Sequence, residues 1–378
     1  MLNEKKVLHV ITSLNSGGAQ AVLFALVCAS QNASEHVVVN LSGNGKYSNL
    51  LKNEGIKVVD LKIKGIFSLI KSFFIFFKQY NNFKPTVVQT WLYHADLYGG
   101  VLSKLLGCQN VVWGLHHASL DPDSLKFSTR CLAKISSKLS AKIPRFIVSC
   151  SVSGVNAHKE FGYKGNFRVI NNGYNFTKFK EDTALRKITR KSLDFCDEDF
   201  VIGMVARFDP QKDHENLLRS ISSLKMFSQS KLVLVGQGIT ESNVHLVSLI
   251  KDHGVSDRVF LIGEAEDMPA IYNSFDLHVL SSFSEAFPNV IVEALACGVP
   301  CVGTSVGDIP YLLGDHGWVV SPRDHKQLGS AIASALQERN EHQEYWHKRK
   351  RCGVDFVNAK FSHEKMRENY FCVWFDRE

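Results

Sequence analysis

Short runs of β-branched and aliphatic residues alternate with longer stretches of helical period along most of the chain, and the alternation occurs twice. Val7–Ile11, His36–Leu41, Lys57–Leu61, Thr86–Gln89, Val111–Gly114 and Phe146–Ser149 form a first series. Runs this short and this apolar fit strands buried on both faces, as in a parallel sheet covered by helices. A turn-rich cluster, Asn171-Asn172-Gly173-Tyr174-Asn175, interrupts the rhythm. Phe200–Ala206, Leu232–Val235, Arg258–Leu261, Leu277–Leu280 and Pro300–Gly303 then resume it. The pattern predicts an α/β chain of two doubly wound domains, residues 1–172 and 173–360, with ligands outside the carboxyl ends of the strands. A length of 378 residues at 45% hydrophobic content is enough for two cores.

No stretch reaches the roughly 20 apolar residues that cross a bilayer, and the opening Met1–Val10 lacks an export signal. Nine cysteines, with no Cys-x-x-Cys pair, read as reduced thiols. These features predict a cytoplasmic protein. The net charge of +7 is unevenly placed: residues 1–172 carry 20 Lys and Arg against 8 Asp and Glu, and the remainder carries the opposite balance. An anionic partner for the first half follows.

Four segments carry chemistry. After the first strand comes Ser13-Leu14-Asn15-Ser16-Gly17-Gly18-Ala19-Gln20, where Gly17 and Gly18 allow backbone amides to approach a phosphate at a helix start. Arg207 and Lys212 follow the strand at 200–206 and suit a diphosphate, whose charge they would neutralise as it leaves. The third turn is Ser284-Glu285-Ala286-Phe287-Pro288-Asn289-Val290-Ile291-Val292-Glu293. Pro288 is expected at the first helical position, with the amides of Asn289 and Val290 aimed at a phosphate. Glu285 and Glu293 can then accept hydrogen bonds from sugar and ribose hydroxyls. Trp113-Gly114-Leu115-His116-His117-Ala118-Ser119 closes another strand, and a histidine there can meet a sugar hydroxyl.

Together these motifs resemble the family-four retaining glycosyltransferases of the GT-B fold, a group that includes bacterial enzymes of O-antigen, capsule and lipid-linked oligosaccharide assembly. The resemblance is most specific over Ser281–Val302 and continues through Val201–Lys212 and Ser13–Gln20. It implies two Rossmann-like domains facing across a cleft, with a terminal helix, about 361–378, returning to the first. It assigns the first domain to the acceptor and the second to the nucleotide-sugar donor. It further implies that Gly17 and Gly18 approach the donor, Arg207 and Lys212 hold the diphosphate, Glu293 binds the ribose and Glu285 the transferred sugar. Phe287, Pro288, Asn289 and Val290 complete the donor site, and His117, Arg207, Lys212 and Glu285 are the catalytic set. Retention of configuration, no resident cofactor and no metal are also implications of the resemblance. Gln20 stands where relatives carry an acid, and Ala286 where many carry glycine.

The implied reaction moves a hexose or N-acetylhexosamine from a nucleoside-diphosphate sugar, a UDP sugar first, to a polyprenyl-diphosphate-linked or other saccharide acceptor. Lys62–Lys84 adds an anionic membrane surface to the expected partners, since it carries five lysines, no acid and a dense aromatic run. Lys126, Arg130, Lys134, Lys138 and Lys142 form a second cationic series. A sugar-nucleotide epimerase of the same fold remains an alternative. A nucleic-acid-binding module would leave the paired glutamates without a role, so nucleic acid is not an expected partner.

Overall fold

The computed structural model describes residues 5–15, 17–28, 32–116, 120, 127–224 and 230–375. Two compact units divide them: Met1–Gly173 with His363–Glu378, and Tyr174–Ser362.

The first unit is built on seven parallel strands: β1 (Val7–Ile11), β2 (His36–Asn40), β3 (Lys57–Asp60), β4 (Val87–Trp91), β5 (Val111–Leu115), β6 (Phe146–Ser149) and β7 (Phe167–Val169). Their order is β3-β2-β1-β4-β5-β6-β7. The pleat sends alternate side chains to opposite faces. Val7 and Ile11 meet helices Gly18–Cys28 and His363–Phe375, while Leu8 and Val10 join Phe76 and Ala133 of helices Ile66–Phe83 and Phe127–Leu139. The terminal helix is fixed by Met366, Tyr370 and Trp374, all buried, and Trp374 Nε1 donates to Gln89 Oε1 at 3.0 Å.

Six parallel strands form the second unit: β8 (Val201–Val205), β9 (Lys231–Val235), β10 (Val259–Gly263), β11 (Leu277–Leu280), β12 (Cys301–Thr304) and β13 (Gly317–Val320). They lie in the order β10-β9-β8-β11-β12-β13. Asp276, just ahead of β11, receives Arg186 and Arg190 at 2.7 Å each and the Val201 amide at 2.8 Å. This buried cluster clamps helix Thr183–Ser192 to the amino edge of the sheet, the one carboxylate accepting from both guanidinium groups and from the backbone amide.

The two units therefore have the GT-B pattern of paired parallel sheets. Three details depart from the sequence reading. β7 and β13 are additional edge strands. Pro288 is not the first helical residue but the cap before it, with ψ 103°, and the helix runs Asn289–Ala296. The second cationic series is partly engaged within its own unit: Arg130 and Lys134 lie over the Phe161 ring at 5.9 and 5.0 Å. Lys126 is outside the described residues.

Candidate functional site

In the second unit the strand order reverses between β8 and β11, so the turns that follow these two neighbours diverge and open a crevice at the carboxyl edge. Both informative turns of this unit sit there. The turn after β8 carries Arg207 and Lys212, and the turn after β11 carries Glu285 and leads into helix Asn289–Ala296. The Phe283 amide bonds the Gln211 carbonyl at 2.9 Å, and Ser281 Oγ donates to the carbonyls of Lys212 and Asp213 at 2.9 Å each. The two turns are thereby sewn together through backbone.

Lys212 Nζ and Glu285 Oε1 meet at 2.5 Å, 73 residues apart in sequence, and Ser282 Oγ donates to the same carboxylate oxygen at 2.6 Å. Ser282 is itself held by Thr304 of β12, whose hydroxyl bonds its carbonyl. The pair is mostly shielded from water, the side chains being 18% and 11% exposed, so its geometry is fixed before any ligand arrives. Arg207 behaves differently. It is exposed and bonds Asp209 in its own turn at 3.1 Å. Burial works against ionisation of Asp209, but the Gln211 amide, Arg207 and Lys212 together hold its carboxyl below the usual range. Next in sequence to this turn, His214 is buried against Phe208 with neither ring nitrogen hydrogen-bonded. Burial, helped by Lys212, brings it down to about 4.

Helix Asn289–Ala296 begins beside Glu285, and a helix start directs its first amides and the positive end of its dipole toward the preceding loop. Glu293 lies in the second turn and accepts a hydrogen bond from Tyr272 Oη at 2.8 Å. Burial raises its carboxyl pKa against the opposing pull of Tyr272 and Lys178. Asn289 Oδ1 accepts from Tyr174 Oη at 2.6 Å. Phe287 is buried against Phe361, ring to ring at 5.4 Å. Of the residues named from sequence, the structure brings Lys212 and Glu285 into contact, with the helix start at Asn289 and Val290 a few residues along the same turn.

Ser282, Thr304 and Tyr272 were not singled out. Ser281-Ser282 directly after an apolar strand was the available signal for the first. The other two reach the site only through tertiary packing. Arg323 is a further residue of this kind, its guanidinium 4.1 Å from the Phe283 ring.

In the first unit, helix Gly18–Cys28 opens directly after the β1 turn. A Cβ on Gly18 would meet open space, whereas one on Gly17 would strike Gln20 Oε1 at 2.4 Å. Gln20 folds back to donate to the Ser13 carbonyl at 3.0 Å and closes the turn. His116 stacks on Trp91 at 5.3 Å. His117 lies outside the described residues. A cavity of about 690 Å³ in the second unit sits at the amino edge, lined by Arg186, Asp276, Arg339 and Lys350 among others. Its cations face carboxylates, Asp276 and Glu181, and it lies at the opposite edge of the sheet from β8 and β11's carboxyl ends. Among the described residues, no group of three or more His, Cys, Asp or Glu is placed to hold a metal.

Residues 186–352 match the family described as Glycosyl transferases group 1. The matched stretch is similar to a group 1 glycosyl transferase domain. It spans the Lys212–Glu285 pair and the helix start after it. N-acetyl-alpha-D-glucosaminyl L-malate synthase of Bacillus anthracis is 26% identical over 209 residues, 54% of this chain. The match spans 52% of that enzyme, so the chain covers about half the length of this relative. The capsular polysaccharide biosynthesis glycosyltransferase CapM of Staphylococcus aureus is 23% identical over 96% of this chain and 94% of its own. Among solved structures, Alr3699/HepE of Anabaena in complex with UDP superposes with a TM-score of 0.84 at 20% identity, covering 97% of this chain and 98% of that one. The likeness establishes the GT-B fold for both units of this chain.

Proposed function

We propose that this chain transfers a hexose or N-acetylhexosamine from a nucleoside-diphosphate sugar, a UDP sugar first, to a hydroxyl of a lipid-linked or other saccharide acceptor, with retention of configuration. The Lys212–Glu285–Ser282 arrangement at the β8/β11 switch point carries this reading. A cation at 2.5 Å from a carboxylate, beside a helix start, offers a diphosphate an opposite charge and backbone donors, and offers the adjoining sugar an acceptor for its hydroxyls. Arg207, exposed on the same edge, supplies a second permanent charge. In this scheme Arg207, Lys212 and the amides of Asn289 and Val290 stabilise the leaving diphosphate, which takes the proton of the incoming hydroxyl. Stabilising that charge is the main catalytic effect, and no side-chain nucleophile is needed. Glu293, oriented by Tyr272, holds the ribose, Gly17 and Gly18 approach the donor, and His117 meets the sugar. UDP in the HepE structure supports the donor class, and the name of CapM supports a surface-polysaccharide acceptor. With cationic side chains as the charge-stabilising groups, transfer should persist in EDTA.

A thermal-shift panel of UDP and GDP sugars tests the donor site, because a ligand bound only by the folded state raises the melting temperature. Lys212→Ala and Glu285→Ala should each cut turnover by at least about 100-fold. Wild-type turnover in both variants would refute the site.

The working surface is proposed to be the cytoplasmic face of an anionic membrane. Helix Ile66–Phe83 leaves Ile66, Phe67, Ile70 and Phe74 exposed, Phe67 at 86%, although burying them against the sheet was the ordinary outcome for such residues. Lys64, Lys71 and Lys78 are exposed along the same segment. Helix Phe127–Leu139, on the same face of the sheet, exposes Phe127 and Ile135. Apolar insertion ringed by cations is the composition of an interfacial helix. No helix among the described residues is long and apolar enough to cross a membrane.

A further inference from the structure

Strand β4 ends in a conformation that its residue resists. Leu92 has φ 74° and ψ 154°, a region that only glycine enters freely. Such an outlier persists when its surroundings over-determine it, and here they do. The Leu92 amide donates to the Gly114 carbonyl at 3.0 Å, and the Leu92 carbonyl accepts from the amides of Ala95 and Asp96, both at 3.0 Å. Thr90 Oγ1 donates to Asp96 Oδ1 at 2.5 Å. Asp96 is fully buried, and its Oδ2 has no partner. Burial raises its pKa well above the carboxylate range, outweighing the hydrogen bonds from Thr90 and from the backbone at Gly114.

The neighbouring side chains are committed too. Tyr93 is buried and bonds His158 Nε2 at 2.7 Å, and His158 Nδ1 bonds the Gly154 carbonyl at 2.7 Å. A carbonyl can only accept, so Nδ1 carries the proton and Tyr93 donates to Nε2. Trp91 lies against His116. Further on, Gly99 and Gly100 let the helix press onto the sheet: a Cβ at either would lie 2.7 Å from Val10 or 2.5 Å from Trp113 Nε1.

His94 is the polar side chain of this turn that takes no part in holding it, and it is exposed. β4 lies between β1 and β5, so the turn stands at the first unit's own switch point, between the Gly17 turn and the turn at His116. A buried carboxyl and a strained leucine thus fix the backbone that carries a solvent-facing imidazole.

We infer that His94 contacts the acceptor, exchanging a hydrogen bond with a saccharide hydroxyl, and that Asp96 is the positioning residue that holds the Leu92 turn beneath it. The inference rests on the transfer reaction proposed above. A neutral imidazole offers one donor and one acceptor, which matches a hydroxyl that can do both.

The test uses the full chain, with UDP-glucose, UDP-galactose and UDP-N-acetylglucosamine as donors. The α- and β-p-nitrophenyl glycosides of glucose, galactose and N-acetylglucosamine serve as acceptor probes. His94→Ala should raise the acceptor KM about tenfold or more while the donor-induced melting shift stays at the wild-type value. Asp96→Ala should do the same. Asp96→Asn, a neutral planar group of the same size, should restore the acceptor KM, which a general loss of structure would not allow. If no nucleotide sugar stabilises the wild-type chain, the donor reading fails. If the wild type glycosylates a probe and His94→Ala does so with unchanged acceptor KM, this inference alone is overturned. If the wild type binds donor yet glycosylates none of the six probes, recognition through saccharide hydroxyls is overturned.

Discussion

Gly307 illustrates how a residue remote from the chemistry sets the position of Glu285. Its φ is +55°, and a Cβ there would lie 2.4 Å from the Glu285 carbonyl oxygen and 2.7 Å from that of Ala286. The next residue, Asp308, donates its amide to the same Ala286 carbonyl at 2.8 Å. Gly307→Ala therefore meets both an unfavourable backbone region and an overpacked contact, together about 2–4 kcal/mol. Relief of the clash must move the Glu285 turn, so the urea midpoint should fall and the nucleotide-sugar melting shift should shrink. Leu92→Gly should act oppositely on stability, because strain of about 1–3 kcal/mol is removed at an entropic cost of about 0.5–1 kcal/mol. A lower melting temperature in that variant would show that the turn is unstrained. Glu285 and Glu293 were legible because their spacing around a proline and an apolar helix is local. Gly307 and Tyr272 were not, since the carbonyls that crowd Gly307 and the carboxylate that Tyr272 bonds belong to other segments of the chain, and chain proximity carries no record of such contacts.

At the scale of elements, the central strands were readable from the apolar runs alone, because burial on both faces leaves a near-continuous aliphatic signature. The edges were not. β7 is the three-residue Phe167–Val169, part-exposed, and β13 is Gly317–Val320, where only Val320 is buried, so neither has the composition of a covered strand. Pro288 was shifted by one residue for a related reason: proline suits both the cap and the first helical position, and only ψ separates them. Helix Ile66–Phe83 was readable as a helix, but which aromatics faced inward was not. Phe76 and Tyr80 are buried, whereas Phe67 and Phe74 are open to solvent. That division yields a prediction. Phe67→Ser with Phe74→Ser should leave the melting temperature within about 1 °C, since neither ring is packed into a core. The double variant should lose most sedimentation with vesicles of phosphatidylglycerol and phosphatidylcholine. Binding of the wild type should weaken as salt rises, and charge reversal at Lys64, Lys71 and Lys78 should weaken it at low salt. Unchanged sedimentation of the double variant would remove this helix from the proposed membrane surface.

Across the whole molecule, acid stability is set by histidines that folding keeps neutral in both units. In the first unit Trp91 Nε1 can only donate, and it does so to His9 Nδ1 at 3.4 Å. His9 must then carry its proton on Nε2 and give it to His36 Nδ1 at 3.0 Å. The remaining His36 proton sits on Nε2, which is buried without a partner. Trp374 of the terminal helix packs on His9 with ring centroids 5.5 Å apart, so charging this pair threatens the anchorage of that helix. Burial, with each other's charge, holds His9 well below its ordinary value, and burial brings His36 down to about 4. In the second unit His214 is brought down to about 4 and His278 to about 3. For His36, His214 and His278, the unfolded chain binds a proton near pH 6.5 while the folded chain does not until about pH 3–4; His9 shifts in the same direction. Stability is therefore fully present above about pH 6.5 and declines as pH falls from there toward the folded values. Each such histidine costs up to about 1.4 kcal/mol per pH unit within that window. Urea midpoints measured at pH 7.5, 6.5, 5.5 and 4.5 should be nearly equal for the first two and then drop steeply. His278→Leu should flatten part of the slope by removing one of the titrating groups. A midpoint that holds constant down to pH 4.5 would mean that these imidazoles are not kept neutral by the fold.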